Sequence, residues 1–148
     1  SVGQYAFSDC SSLVSVALPE DMISLPSYCF LNCTKLTTIT WPTALTTINS
    51  YAFAGCRFVD NDYTLQLPAS VTTIGSNAFG YLHHLVLPST SPISIASNSF
   101  ISGYTFLYVP DGMVDMYKVR TNWSNYALVI RPISTYPASF GEQFDANL

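Results

Sequence analysis

Cysteine is the residue type in this sequence with the widest choice of chemistry. Cys10, Cys33 and Cys56 recur at equal intervals, so they share one position of a repeated unit, and Cys29 brings the total to four. This repetition favours buried small apolar side chains. Neighbouring copies of the repeat would also lie at a Cα spacing that permits a disulfide, so that alternative stays open. A zinc site is disfavoured because no Cys-x-x-Cys pair or matching histidine is present.

The histidines and a short acidic run are two further metal-binding candidates. His83 and His84 are adjacent in a segment with a strand pattern, where neighbouring side chains point to opposite faces, so they would not chelate one ion. Asp60-Asn61-Asp62 resembles part of a calcium loop but lacks the glycine and the closing glutamate of an EF-hand. We therefore predict no metal site, a surface or lining role for the histidines, and a solvated insertion at residues 60–62.

The sequence carries no motif for nucleophilic catalysis or nucleotide binding. It has no Gly-x-Ser-x-Gly, no glycine run of the kind that binds phosphate, and no His/Asp pair at a spacing typical of a triad. We therefore predict a protein that is not an enzyme, with no catalytic residue and no cofactor.

The composition narrows the class of partner. The chain has 148 residues, enough for one domain. Five basic residues against nine acidic ones give a net charge of −4, too few cations to neutralise a phosphate backbone, so we predict no nucleic-acid partner. The longest apolar runs fall far short of the roughly 20 residues of a membrane helix, so we predict no membrane span. Ser, Thr, Asn and Tyr supply the polar surface, which fits an extracellular protein, and we expect a monomer.

A short sequence repeat positions these side chains. The stretch from Phe30 to Pro42 returns as Phe53 to Pro68 with a three-residue insertion, and Phe7 precedes Phe30 by the same interval that separates Phe30 from Phe53. Each copy contains a segment of the form apolar-x-apolar-Pro, whose alternation predicts a short strand that the proline ends. Each copy also places a small residue before a phenylalanine, whose ring we expect inside. A unit of this length is typical of one coil of a solenoid, which buries its apolar face by stacking on its neighbours.

The pattern changes after Pro110 and predicts a cap for the last coil. Asp111 is placed to act as an N-cap, and apolar side chains at helical spacing predict a helix of about three turns over residues 111–123. Such a helix would cover the end of the solenoid, where an exposed core and a free strand edge invite aggregation. We predict a closing strand from Ala127 to Ile130 and a tail or linker, or the start of a further region, at 132–148.

The repeat resembles a known family, the BspA-type leucine-rich repeats of bacterial surface proteins. Their pattern IGxxAFxxCxxLxxIxLPxx is carried best by residues 74–79 and by Phe30 to Pro42, and their terminal segment VPxGxxxxY…W matches Val109 to Trp123. The resemblance covers residues 2 to about 131 and implies a leucine-rich repeat solenoid, mostly β and of the α/β horseshoe class. About five stacked coils, each of about 20–26 residues and with parallel strands, would end in one short C-terminal helix. The expected divisions are a repeat domain at 1–131, with coils at 1–22, 23–45, 46–71, 72–92 and 93–110 and a helical cap at 111–131, and the tail at 132–148.

The exposed face of the strands is the predicted binding surface, since leucine-rich solenoids usually bind through it. Ser15 and Ala17 begin this face, and the candidate binding residues follow on later strands: Thr38, Thr40, Thr64, Gln66, His84, Val86, Phe106 and Tyr108. Its aromatic end could anchor a protein partner or stack on a sugar ring. The alternative is that the terminal helix or tail covers Phe106 and Tyr108. Cys33, Trp41 and Phe53 are predicted interior positions.

The resemblance implies a function without catalysis. It points to a protein-interaction or adhesion module outside a bacterial cell, on its surface, that binds host or neighbouring-cell proteins. Two other functions stay open, a glycan-binding module of a surface carbohydrate-scavenging system and a structural spacer between other domains.

Overall fold

The computed structural model describes residues 2–58, 64–100 and 105–136. They form a stack of coils with one strand on each of two walls. The first wall contains β1 (Ser15–Ala17), β3 (Thr38–Thr40), β5 (Thr64–Gln66), β7 (His84–Val86) and β9 (Phe106–Val109). The second wall contains β2 (Ser24–Leu25), β4 (Thr47–Ile48), β6 (Thr73–Ile74) and β8 (Ser94–Ile95). The short strand predicted before the proline of each copy is therefore confirmed on the first wall, and each of the coils also contributes a strand to the second wall or stands beside one that does.

All strand pairs in the described ranges are parallel, but the two walls differ in continuity. The second wall is one sheet in the order β2-β4-β6-β8. The first wall is divided, with β1 paired to β3 in one sheet and β5-β7-β9 in another, which β10 (Ile130–Pro132) extends. Among the described residues no ladder joins β3 to β5. The third coil, which carries the insertion, is thus where the first wall opens.

The core is a ladder of phenylalanine rings that runs the length of the stack. Adjacent rings are stacked with centroids 5.2 to 6.3 Å apart, in the order Phe7, Phe30, Phe53, Phe79 and Phe100. Cys29, Cys33 and Cys56 are fully buried beside this ladder, and all four cysteines are free thiols. The Sγ atoms of Cys33 and Cys56 each donate to a phenylalanine carbonyl of the preceding coil, at 3.0 Å. The buried-thiol interpretation is confirmed for Cys33 and Cys56, whereas Cys10, in the first coil, is only half-buried, and the disulfide is not formed.

The C-terminal cap is built from shorter helices than the sequence predicts. A 3-10 turn (Asp111–Met113) leads into α1 (Val114–Val119), and a second 3-10 helix (Trp123–Val129) follows. The predicted helix over 111–123 is wrong in length because Arg120 has an extended backbone, with φ −78° and ψ 146°. The predicted N-cap at Asp111 is also wrong. Its Oδ1 accepts a hydrogen bond from the Ser134 backbone N–H at 3.0 Å, beyond the end of the cap.

Two buried aromatic side chains join the cap to the last coil. The Tyr117 hydroxyl accepts from the Ile93 N–H at 2.8 Å, and the Trp123 Nε1–H donates to the Ile93 carbonyl at 2.8 Å. Both main-chain groups of Ile93, just before β8, are thereby satisfied without a further strand. The cap thus closes the end of the second wall.

The chain returns to the first wall after the cap. The predicted closing strand at 127–130 starts later, at Ile130, because residues 127–129 stay in the 3-10 helix and Ile130 pairs in register with Leu107 of β9. Residues 132–136 also lie against the fold, and residues 137–148 lie outside the described part of the chain, so the division at 131 stays a prediction. Within the described ranges no helix is long and apolar enough to cross a membrane.

Candidate functional site

The outer face, the solvent side of the first wall, is open at its N-terminal end. Ser15 and Ala17 on β1 and Thr38 and Thr40 on β3 are all exposed, as predicted. Their side chains are small and uncharged. The central residue of each strand, Val16 or Ile39, is half-buried on the core side. Four of the ten residues predicted to face outward are therefore present on a flat, neutral, hydroxyl-bearing face.

The C-terminal end of the outer face is covered. Val86 is 0% exposed and Tyr108 is 4% exposed, so the prediction that they present side chains to solvent is wrong. For Tyr108 the reason is the segment after β10, which places the Tyr136 ring edge-on to Tyr108 and to His84, with ring centroids 5.0 and 6.1 Å apart. The alternative that the tail covers this end is right for Tyr108.

Of the other predicted residues from β5 onward, Gln66, His84 and Phe106 are half-buried, and Thr64 is buried, so the prediction that Thr64 faces solvent is wrong as well. The His84 Nδ1 lies 3.0 Å from the Tyr108 hydroxyl, and its ring stacks on Phe106 with centroids 6.0 Å apart. The Arg131 guanidinium lies 5.1 Å from the Phe106 ring centroid, a cation–π contact. Burial raises the pKa of Tyr108, and Arg131 opposes that rise. These side chains are occupied by one another rather than free for a ligand.

A groove separates β3 from β5, and we call it the β3–β5 groove. Its volume is about 560 Å³, and its lining includes three of the predicted binding residues, Thr38, Thr64 and Gln66, together with Trp41. Thr40, the remaining predicted residue on β3, lies outside the lining and on the open outer face. The sequence thus identified residues on both sides of the groove, on β3 and on β5, but it did not predict that a groove lies between them.

The β3–β5 groove exists because large side chains separate two coils on one wall only. Trp41 occupies the repeat position held by leucine at Leu18 and Leu67, and Phe58, just before the insertion, is buried against Phe53 with ring centroids 5.8 Å apart. On the second wall the same two coils remain paired through β4 and β6. The two coils are therefore held together on the second wall and separated between β3 and β5 on the first. The prediction that Trp41 is an interior residue is wrong, since it is half-buried and lines the groove, edge-on to Phe53 at 5.9 Å.

The polar groups of the groove are hydroxyls and one amide. Thr37 donates its hydroxyl to the Val14 carbonyl at 3.2 Å, and Ser70 donates to the Leu45 carbonyl at 2.6 Å. Thr64 is 6% exposed, and its Oγ1 has no hydrogen bond of good geometry in the described chain. Tyr136 lies beside Thr64. Burial raises the pKa of the Tyr136 hydroxyl, and its interaction with the Thr64 side chain partly offsets that rise. The groove thus holds a buried hydroxyl that is poorly satisfied.

A second exposed feature, a ladder of tyrosines, was not predicted. Tyr5, Tyr28 and Tyr51 stack in parallel, with centroids 4.8 and 4.9 Å apart, and each has a φ near +60°. In the next coil Asn77 takes the same backbone conformation and donates its Nδ2–H to the Tyr51 hydroxyl at 3.0 Å. The signal was in the sequence, because the three tyrosines recur at the same equal interval as the phenylalanines.

The candidate metal-binding residues do not converge. His83 is exposed whereas His84 is half-buried against Tyr108, so the pair does separate as predicted. Residues 60–62 lie outside the described residues. Across the described ranges no group of three or more His, Cys, Asp or Glu side chains could hold a metal ion.

Comparison with known proteins supports the repeat assignment. Residues 1–108 match the family model described as BspA type leucine rich repeat region, in six copies. No curated protein matches the chain significantly. Among solved structures, a leucine rich cell surface protein from Faecalibacterium prausnitzii A2-165 is similar with a TM-score of 0.55 and 21% identity. The similarity covers 95% of this chain and 31% of that protein, so the chain spans about a third of its length, and at this identity it shows the fold alone.

Proposed function

Because this chain belongs to the BspA-type leucine-rich repeat family, we propose that it is a non-catalytic protein-interaction module of a bacterial surface protein. In this proposal it binds host or neighbouring-cell proteins and so contributes to adhesion. The relative named above is a cell surface protein, which supports a surface location. The scaffold would have about five coils, since five strands of the first wall are described, whereas the family model counts six copies.

The observation that carries this proposal is the open half of the outer face. Ala17 and Thr40 are exposed register partners on β1 and β3, and their neighbours Ser15 and Thr38 are exposed as well. A flat, uncharged surface of this kind can be desolvated against a protein without burying an unpaired charge. The covered aromatic end is excluded from this surface, which is therefore confined to β1, β3 and the edge of β5.

A binding assay with paired arginine variants tests the proposal. The probe is an array of extracellular-matrix and epithelial surface proteins, and Ala17→Arg with Thr40→Arg should reduce any specific binding at least tenfold, because each adds a bulky charge at the centre of the surface. The matched control is Thr73→Arg with Ser94→Arg, exposed register partners on β6 and β8 of the second wall. Equal loss in both pairs, or no binding by the wild-type protein, would refute the proposal.

A further inference from the structure

We propose that the β3–β5 groove is a binding site for a neutral saccharide, a ligand beyond the protein interaction proposed for the outer face. The inference depends on three properties of the groove, its charge, its hydrogen-bonding groups and its aromatic wall.

The charge of the lining favours a neutral ligand. Among the described residues, none that lines the groove carries an ionisable side chain: Thr37, Thr38, Ile39, Trp41, Pro42, Thr43, Thr64, Leu65, Gln66, Leu67, Pro68, Ala69 and Ser70. A phosphate or carboxylate group entering this space would lose water without gaining a counter-charge from the described lining, and the nearby Glu20 carboxylate, which accepts from the Thr43 hydroxyl at 3.0 Å, would repel it further. Its volume, about 560 Å³, lies within the roughly 300–1,000 Å³ typical of small-molecule sites.

The hydrogen-bonding groups match sugar hydroxyls, which both donate and accept. The Thr37 and Ser70 hydroxyls donate to main-chain carbonyls, so their oxygens keep lone pairs for a donor from the ligand. The Gln66 amide carries two donors and an acceptor, enough to bond a ligand besides its contact within the chain. The Thr64 Oγ1 adds to this set, because it is buried in the lining, and among the described residues it has no hydrogen bond of good geometry and interacts only with Tyr136, so it keeps capacity for a ligand hydroxyl.

The aromatic wall supplies the apolar half of sugar recognition. Trp41 lines the groove and is half-buried, and its edge-on packing against Phe53 holds the indole in place. A pyranose ring has one face of C–H groups that packs against an aromatic side chain while its hydroxyls bond around the rim. Trp41 therefore provides an aromatic surface for a sugar ring, which the leucine at the same position of other coils lacks.

An extended peptide is the competing occupant, because among the described residues neither β3 nor β5 pairs with another strand on the side of the groove. Strand addition would satisfy main-chain groups and would add no hydrogen bond to the Thr64 hydroxyl. A saccharide uses the side-chain hydroxyls, the amide and the indole together, and for that reason it is the ligand that the lining favours.

Indole NMR signals provide the test in the intact chain. The chain has two tryptophans, and Trp123 is buried in the cap with its Nε1–H bonded to Ile93, so its signal is an internal reference. The probes are the methyl glycosides of glucose, galactose, mannose and N-acetylglucosamine and their β-linked disaccharides. At least one should shift the Trp41 indole signal saturably while the Trp123 signal stays fixed. Sialic acid is the comparison probe for a charged sugar, and glycerol is the comparison probe for nonspecific binding of hydroxyl groups. A capped Thr/Val hexapeptide represents the competing extended peptide.

Variants measured by titration calorimetry complete the experiment. Trp41→Leu restores the leucine of other coils and should weaken binding about tenfold, a difference that corresponds to about 1.4 kcal/mol. Thr64→Val should also weaken it, and Tyr81→Ala, an exposed aromatic change outside the lining, should leave it unchanged. Absence of a saturable shift, equal shifts with glycerol or sialic acid, or a shift by the hexapeptide alone would overturn the proposal. The Ala17 and Thr40 variants address the protein interaction separately, so either proposal can fail alone.

Discussion

At the level of single residues, Thr64 combines a buried side chain with a hydroxyl that lacks a hydrogen bond of good geometry. Leaving such a group unsatisfied costs about 1–3 kcal/mol. Without ligand, Thr64→Val should therefore raise the free energy of unfolding by about 1 kcal/mol, because valine has nearly the same shape and no polar atom. Urea unfolding measures this, with Thr40→Val on the exposed part of β3 as the matched control. A loss of stability would mean that Tyr136 already satisfies the hydroxyl.

The buried thiols predict an alkaline loss of stability. Burial, with Cys33 nearby, raises the pKa of Cys29 from 9.0 to about 11, and hydrogen bonding with Cys33 together with burial raises the pKa of Cys56. Because the folded state holds these protons more tightly than the unfolded chain, their contribution is complete below pH 9 and is lost as the pH rises toward 11. Wild-type stability should fall by about 2 kcal/mol more than that of Cys29→Ala over this interval.

Urea unfolding at pH 7.5, 9 and 10.5 under reducing conditions measures this difference. The comparison with Cys29→Ala removes the parallel contribution of the buried tyrosines, such as Tyr117, whose pKa burial also raises. Parallel pH profiles for the two proteins would contradict the assignment to Cys29.

At the level of elements, the cap depends on the two contacts to Ile93. Tyr117→Phe removes the oxygen that accepts the Ile93 N–H and leaves a buried donor unpaired, so it should lower the free energy of unfolding by about 1–3 kcal/mol. Amide hydrogen exchange at Ile93 should accelerate in the same variant, since the closing contact of the second wall is lost. Tyr81→Phe, on an exposed ring, is the control and should change neither quantity. An unchanged exchange rate at Ile93 would show that Trp123 alone holds this edge.

The sequence predicted the elements well where one repeat position has one environment. The phenylalanine ladder, the cysteine positions and the paired strands all follow from one nearly constant spacing, because each coil repeats the contacts of its neighbour. The β3–β5 groove could not be predicted from the repeat. It depends on how far Trp41 and Phe58 separate two coils, and the volume of a side chain at one position does not indicate which of the two walls will open. The helix over 111–123 was too long because apolar spacing is similar in α and 3-10 segments over a few residues.

At the level of the whole molecule, the outer face divides into an open and a covered half. The boundary lies near β5, where Gln66 is half-buried and Thr64 is buried. Sequence alternation identified which residues turn outward, but His84 and Tyr108 are covered by Tyr136, which comes much later in the chain. Such a long-range contact leaves no periodic signal. The open half, the groove and the covered half therefore give one scaffold three different surfaces in succession.

The covering segment also protects the last strand of the first wall, and its removal should change the association state. β10 pairs with β9 through Ile130 and Leu107, and Tyr136 lies over Tyr108. A chain that ends at Val129 would expose both the free edge of β9 and the Tyr108 ring, a combination that favours edge-to-edge pairing. A chain that ends at Tyr136 keeps both protections. Size-exclusion chromatography with light scattering, at micromolar concentration, should show dimers or larger species for the first chain and a monomer for the second. Monomers in both cases would show that the cap alone keeps the solenoid from associating.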